Sequence, residues 1–132
     1  MQKIASLALL LAGAIHLIPL LGVFGAAPLA SLYGTPPSDP DTLILLRHRA
    51  VLFGIVGGIC LGAAFKPAYQ WLGLTVGAVS VLSFLLLACS TGGFNMHLQR
   101  VVVADGLALA CLVAGAVARV RSERGRPASN LV

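Results

Sequence analysis

The chain has 132 residues, of which 58% are hydrophobic and only 10% are charged. A soluble domain carries roughly a quarter of its residues charged, so this composition excludes an ordinary water-exposed surface. The net charge of +5 comes from bases at the ends of long apolar runs, and such scattered bases do not form the single basic face of a nucleic-acid-binding protein.

Four apolar runs of about 18 to 24 residues can each cross a hydrocarbon core of ~30 Å as a helix. Little of the chain lies outside them. We therefore expect an all-α integral membrane protein, folded as an up-down four-helix bundle over residues 1–118, with the lipid bilayer as its first partner. Residues 119–132 are expected to form a basic cytoplasmic tail.

The first span is predicted from about residue 4 to residue 24. It is longer than the apolar core of a signal peptide, which has roughly 7 to 15 residues, so we expect a transmembrane helix. Pro19 lies inside this span and removes one backbone hydrogen bond, which predicts a kink near the Ile15 carbonyl.

The second span is predicted from about residue 40 to residue 65, after a proline-rich outer loop. Asp39 can accept from the free N–H groups at the helix start, and Pro40 suits the first turn. Lys66-Pro67 ends this span. The third and fourth spans are predicted at about 68–89 and 97–118.

The positions of the nine basic residues predict the topology. Basic residues collect on the cytoplasmic side of membrane proteins, and six of the nine lie at span ends that would share one side. These six are Lys3, Lys66, Arg119, Arg121, Arg124 and Arg126. We therefore expect a multi-pass protein of the bacterial inner membrane with both termini in the cytoplasm.

Rows of small residues predict close helix packing, because small side chains let helix backbones approach in lipid. The rows are Gly54, Gly58 and Gly62 in span two, Gly73 and Gly77 in span three, and Ala104, Ala108, Cys111 and Gly115 in span four. The rows serve packing within one chain or between copies equally well. A homo-oligomer or a larger membrane complex therefore stays open.

Nearly every ionisable residue away from the cytoplasmic flanks is predicted to lie in the outer half of the bundle. The candidate ligand-binding residues are His16, Arg47, His48, Arg49, Asn95, His97, Arg100 and Asp105. At 100° per residue, Arg47 shares the helix face of Gly54 and Gly58 and is expected to point inward. Arg49 is about 200° away from Arg47 and is expected to extend outward to the headgroups.

An unpaired aspartate at this depth would be strongly destabilising or would take up a proton. We therefore expect a buried Asp105–Arg47 pair, with His16 as a third member. One interpretation is a ligand site that opens to the outer face, with Tyr33 in its wall. The other is a pair that only fixes the helix register. Haem bound by His16 and His48 is disfavoured, because His48 lies 100° from the predicted inward face, and no cofactor or metal is predicted.

Two motifs carry a family resemblance. They are Arg47-His-Arg-Ala-Val-Leu-Phe-Gly54 with Lys66-Pro67, and Gly92-Gly-Phe-Asn-x-x-Leu-x-Arg100 with Ala104-Asp105. The pattern covers nearly the whole chain up to the tail. It resembles small, uncharacterised bacterial inner-membrane proteins of the DoxX-like four-helix type.

Relatives of this kind are sometimes labelled phosphopantetheine adenylyltransferase, a soluble nucleotide-binding enzyme. The nearest string to its phosphate motif is Gly13-Ala-Ile-His16, which has the wrong order and lies inside a predicted span. The DoxX name itself implies a link to sulfur-compound oxidation and quinones. However, the chain has no CxxC pair to carry such chemistry.

Three functions fit these features. The first is a non-catalytic accessory subunit, or a binder of a small lipid-like or anionic molecule in the outer half of the bundle. The second is a redox-associated subunit linked to a quinone or haem. The third is a small proton-coupled transporter with Asp105 as carrier, although small four-span exporters usually place this acid in span one. We expect the first, and no catalytic residue is predicted.

Overall fold

The computed structural model describes residues 2–125 and confirms an all-α bundle. Arg126 and the rest of the predicted tail lie outside the described residues. The α-helices are α1 (Gln2–Leu17), α2 (Ala26–Tyr33), α3 (Pro40–Phe65), α4 (Gln70–Thr91) and α5 (Met96–Arg124). Two 3₁₀ segments, Ile18–Phe24 and Pro67–Tyr69, lie before α2 and α4.

Four helical segments of the described chain are long and apolar enough to cross a membrane. They are Lys3–Phe24, Pro40–Phe65, Pro67–Thr91 and Met96–Arg124. Many large apolar side chains face outward from them, including Phe65, which is 76% exposed. Water would disfavour so much exposed apolar surface, whereas a hydrocarbon solvent accepts it.

Pro19 changes the first span more than a simple kink would. The α-helix ends at Leu17 and the chain continues as a 3₁₀ segment, because proline removes an i→i−4 hydrogen bond. Gly25 then turns the chain with a φ of 130°, and Gly34 ends α2 with a φ of 78°. The turn places the short helix α2 against the 3₁₀ segment and α5 at the outer end of the bundle.

The last helix is longer than predicted. Helix α5 continues to Arg124, so the tail predicted to begin at residue 119 starts as helix. An ion pair one turn apart, Arg119 Nε to Glu123 Oε1 at 3.2 Å, supports this extension, although the N–H is not aligned for a hydrogen bond. Trp71 Nε1 also donates to Glu123 Oε1 at 2.9 Å, which ties α5 to α4.

Helix α1 packs against α3 and α5, and α4 packs against the same two helices. The closest approach of α1 and α3 is at Gly57, where a Cβ atom would lie 3.0 Å from the Gly13 carbonyl oxygen. Gly58 and Gly62, which were predicted to pack, have nothing within 4 Å of a Cβ and face outward. These two glycines therefore do not pack within the described chain, and packing against a second copy stays a prediction.

The other two small-residue rows do pack. A Cβ on Gly73 would lie 2.6 Å from Ala63 Cβ, and one on Gly77 would lie 3.2 Å from Cys60 Sγ. Ala108 is fully buried, and Gly115 lies against α1. The small residues of α4 and α5 therefore serve contacts within this chain.

Candidate functional site

The rotation of α3 about its axis determines which of its two arginines points into the bundle. Arg47 is exposed, and its Nε donates to the Val23 carbonyl at 2.9 Å. Arg49 points inward, with its guanidinium carbon 5.4, 4.9 and 5.4 Å from the ring centroids of Tyr33, Phe53 and Phe84. The predicted directions of the two arginines are therefore reversed, and the predicted Arg47–Asp105 pair is wrong.

The predicted directions were reversed because α3 packs through a different set of residues from the one that the sequence suggested. Gly57 and Ala50 are buried and lie seven residues apart, so they are about 20° apart around the helix. Together with the other buried residues of α3, Cys60, Ala63 and Ala64, they give a mean inward direction about 50° from Arg49 and about 110° from Arg47. A face centred on Gly58 would be rotated by about 100° from Gly57, and that assumption gave the wrong direction for Arg47.

Arg49 has aromatic neighbours but no hydrogen-bond acceptor among the described residues. Arginine has five N–H donors and no acceptor, and a cation over an aromatic face is stabilised by the ring quadrupole. Three rings hold the guanidinium in place without using its donors. Arg49 can therefore bind an anionic oxygen that the described part of the protein does not supply.

Asp105 lies opposite Arg49 in the outer half of the bundle. It is 7% exposed and has no hydrogen bond or ion pair within the described residues. The ionisable side chains close enough to act on it electrostatically include His16, Arg49 and Tyr33. A buried carboxylate normally has a partner, so this one has capacity for a ligand.

Asp105 faces a cavity of about 320 Å³ that lies between α5 and the outer end of the first span. The cavity is lined by Ile15, Ile18, Pro19, Ser31, Leu32, Tyr33, Arg49, Phe53, His97, Arg100, Val101, Ala104 and Asp105. It thus brings together four of the predicted site residues and the predicted wall residue Tyr33.

A second cavity, of about 720 Å³, opens sideways between α3 and α4. Its lining side chains Leu52, Ile55 and Leu87 are also exposed on the bundle surface, so the groove faces the position of the lipid. Arg49 and Phe53 line both cavities. We call the first the outer cavity and the second the lateral groove.

His16 supports the site from within the core and is 3% exposed. Its Nδ1 lies 2.8 Å from the Ala12 carbonyl, and because a carbonyl only accepts, Nδ1 is the donor. Its Nε2 lies 3.0 Å from Ser80 Oγ, which lines the lateral groove. The ring also meets Phe53 edge-on, with centroids 5.8 Å apart.

Both ring nitrogens of His16 have partners in the protein, so its role is to position neighbours rather than to ligate. His48, the other proposed haem ligand, is exposed on α3 and does not line the outer cavity. These two residues do not form the paired imidazoles that haem ligation requires. His48, like Arg47, falls outside the site.

Asn95 joins two helices rather than lining the outer cavity. Its Oδ1 accepts from Leu98 N at 2.9 Å and caps α5, while its Nδ2 donates to the Tyr33 carbonyl at 2.8 Å. This contact holds the end of α2, and hence the Tyr33 ring, beside the cavity. Asn95 was predicted to bind the ligand, but its side chain is used in these two contacts.

Tyr33 lies outside the membrane-spanning segments and borders the outer cavity. Burial raises the pKa of its phenol above the usual 10.0, the Arg49 charge opposes the shift, and Asp105 adds to it. The phenol therefore stays protonated at neutral pH and can donate a hydrogen bond into the cavity.

Phe53, Phe84 and Ser80 were missed as site residues. Phe53 follows Arg49 by four residues, and Phe84 follows Ser80 by four. This spacing places each pair on one helix face, which is the only signal that the sequence offered. No family model, curated protein or solved structure matches the chain, so its function is argued from the site.

Proposed function

We propose that this chain is a multi-pass protein of the bacterial inner membrane that binds a small lipid-like anionic molecule in the outer half of its bundle, without catalysing a reaction. The observation that carries the proposal is Arg49. Its guanidinium has no acceptor among the described residues and lies where the outer cavity meets the lateral groove.

The surroundings of Arg49 favour an anionic partner. Three aromatic rings lie within 5.4 Å of the guanidinium carbon of Arg49, which is half-buried, and an ionic hydrogen bond is stronger where less water is present. An anionic oxygen therefore gains more at Arg49 than at Arg47, which is exposed on the same helix. The donor on Tyr33 adds to this preference.

The two cavities suit the two ends of an amphiphile. Ligand sites commonly have volumes of about 300 to 1,000 Å³, and both cavities lie in this range. Both cavities are lined mainly by apolar surface, but the ionisable side chains of Tyr33, His97, Arg100 and Asp105 line only the outer cavity. A polar head would occupy the outer cavity, and an apolar chain arriving from the lipid would occupy the lateral groove.

The proposed topology has both termini in the cytoplasm. Lys3, Lys66, Arg119, Arg121 and Arg124 share the end of the bundle opposite the site, as the preference of basic residues for the cytoplasmic side requires. The site then opens toward the periplasm. The resemblance to DoxX-like proteins agrees with this arrangement and stays part of the proposal.

A quinone-linked role is the second candidate. The donors of Arg49 and Tyr33 next to an apolar groove also suit the neutral carbonyl oxygens of a quinone head. The absorbance spectrum of an organic extract of the purified protein distinguishes the two candidates, because a stoichiometric quinone band supports the second and its absence supports the first.

Binding of a fluorescent fatty acid with a conjugated polyene chain tests the proposal, with the purified protein in an uncharged detergent. We expect saturable binding that Arg49→Gln weakens at least ~10-fold, since a hydrogen bond to a charged group contributes about 1.5–3 kcal/mol. Arg47→Gln is the matched control. It removes the same charge from the same helix, two residues away, and should bind like the wild type.

Equal binding by both variants, or an equal loss in both, would contradict the proposal. The first result would show that the Arg49 donors are not used. The second would show that only the total charge of the outer surface matters.

A further inference from the structure

The outer cavity presents both signs of charge without joining them. Asp105 and Arg49 both line it, yet the described residues contain no ion pair between them. Buried charges are strongly destabilising unless they are paired. A ligand that carries a positive group for Asp105 and a negative group for Arg49 would complement both side chains.

The depths of these residues indicate how such a ligand lies. Arg49 and Asp105 each follow the first residue of their helix by nine positions, which places both about 13 Å along the helix axis. Arg100 lies only four residues into α5, about 6 Å along it. The Asp105 carboxylate thus lies at the level of Arg49 and deeper than Arg100.

We propose that the ligand is a phospholipid with a phosphoethanolamine head, which carries a phosphate and an ammonium group in one molecule. This inference rests on the proposed function and specifies its ligand. The phosphate lies against Arg49 and Arg100, and the ammonium lies against Asp105. The acyl chain passes Phe53, which borders both spaces, into the lateral groove.

Charge complementarity favours this head over a purely anionic one. In a site with little water, a second negative charge close to the Asp105 carboxylate is repelled strongly, because the Coulomb energy rises as the effective dielectric falls. An ammonium group removes the repulsion and gives the carboxylate the partner that it lacks. A ligand without the ammonium leaves this charge uncompensated.

The lateral groove can accommodate an acyl chain, because its volume of about 720 Å³ lies within the range of about 300 to 1,000 Å³ that is common for ligand sites. Its exposed lining side chains leave it open on the side where lipid would lie.

Displacement of the polyene fatty acid by lipids that share one acyl chain and differ in the head tests the inference. The competitors carry phosphoethanolamine, N-acetylated phosphoethanolamine, phosphoglycerol or phosphate alone, and soluble phosphoethanolamine is the chain-free control. We expect the first to displace the probe at concentrations at least ~10-fold lower than each of the others. The soluble compound should not displace it over the same range.

Asp105→Asn, which keeps the shape of the side chain, should abolish the difference between phosphoethanolamine and phosphoglycerol heads. Arg47→Gln should retain it. If Asp105→Asn fails to fold, the acetylated competitor tests the same contact in the wild-type protein, because acetylation removes the positive charge from the ligand.

Equal displacement by acetylated and free heads, an unchanged preference in a folded Asp105→Asn variant, or displacement by the soluble compound would each overturn the inference while leaving an anion site at Arg49. Failure of the wild-type protein to bind the fatty acid probe or any of the lipids would overturn the proposed function together with it.

Discussion

Two arginines on α3 have opposite surroundings although a single residue separates them. Arg47 donates to the backbone carbonyl of Val23, which lies in the last turn of the 3₁₀ segment, where carbonyls lack a partner within the helix. Arg49 is enclosed by rings and keeps its donors free. At the residue scale, Arg47 therefore has a hydrogen-bond acceptor in the protein, whereas the neighbours of Arg49 are aromatic rings that leave its donors available for the proposed ligand.

The hydrogen bond between His16 and Ser80 joins α1 to α4 beside the lateral groove. Ser80→Ala should destabilise the protein by about 1–3 kcal/mol, because it leaves the buried His16 Nε2 without a partner. Ser83→Ala is the control, since that hydroxyl is exposed and bonds only to a carbonyl in its own helix. Thermal unfolding in detergent measures both, and an equal loss in the two variants would argue against a structural role for the His16 contact.

Asp39 gives the start of α3 a pH dependence. The backbone N–H of Thr42 donates to Asp39 Oδ1 at 2.8 Å and lowers the pKa of this carboxyl below its usual 3.8. A lowered pKa in the folded state means that the cap is fully effective above pH 3.8 and is lost as the pH falls through the folded value. We expect amide exchange in the first turn of α3, corrected for its intrinsic rate, to accelerate below pH 3.8.

The variant Asp39→Asn keeps the helix cap but removes the carboxyl group that titrates. Asparagine caps helices about as well as aspartate does but carries no charge, so the corrected exchange of this variant should not depend on pH in the same range. The same acceleration in the variant would place its origin elsewhere in the protein.

At the scale of elements, the sequence predicted the helices well and the rotation of one helix poorly. The bounds of α3 agree with the prediction at both ends, because Asp39-Pro40 and Lys66-Pro67 are strong local signals. Its inward face was misplaced because lipid is as apolar as the core. Large apolar residues therefore occur all around the helix, and only glycines indicate the packed side.

The glycines of α3 left that side ambiguous, since Gly54, Gly57, Gly58 and Gly62 cover several faces. The prediction followed the four-residue row and missed Gly57, which meets the Gly13 carbonyl. Arg47 and Arg49 depended on this rotation, and the predicted directions of both were wrong. The level of the site along the bundle depends on residue counting alone and was predicted correctly.

Two adjacent glycines test this packing directly. Gly57→Ala should destabilise the protein by about 1–3 kcal/mol, because its Cβ would press on the Gly13 oxygen and the Leu17 side chain. Gly58→Ala should be neutral or stabilising by up to about 1 kcal/mol, because it meets nothing and alanine is the better helix former. If thermal unfolding showed that Gly58→Ala destabilises the protein more than Gly57→Ala does, the inward face of α3 predicted from the sequence would be supported instead.

At the scale of the whole molecule, the orientation in the membrane follows from the distribution of charge. We expect an alkaline phosphatase domain, which is active only in the periplasm, to be active when fused after Ser38 and inactive when fused after Gly125. A green fluorescent domain at the same two positions should give the opposite pattern. Activity of the phosphatase after Gly125 would invert the topology and place the outer cavity on the cytoplasmic side.

In the proposed function, the four long helices hold Arg49 where the outer cavity meets the lateral groove. Native mass spectrometry of the protein after incubation with a bacterial lipid extract tests this claim most directly. The wild type and Arg47→Gln should each retain one amphiphile per chain, and Arg49→Gln should lose it. No retained molecule on the wild type, or the same retention by Arg49→Gln, would contradict the account.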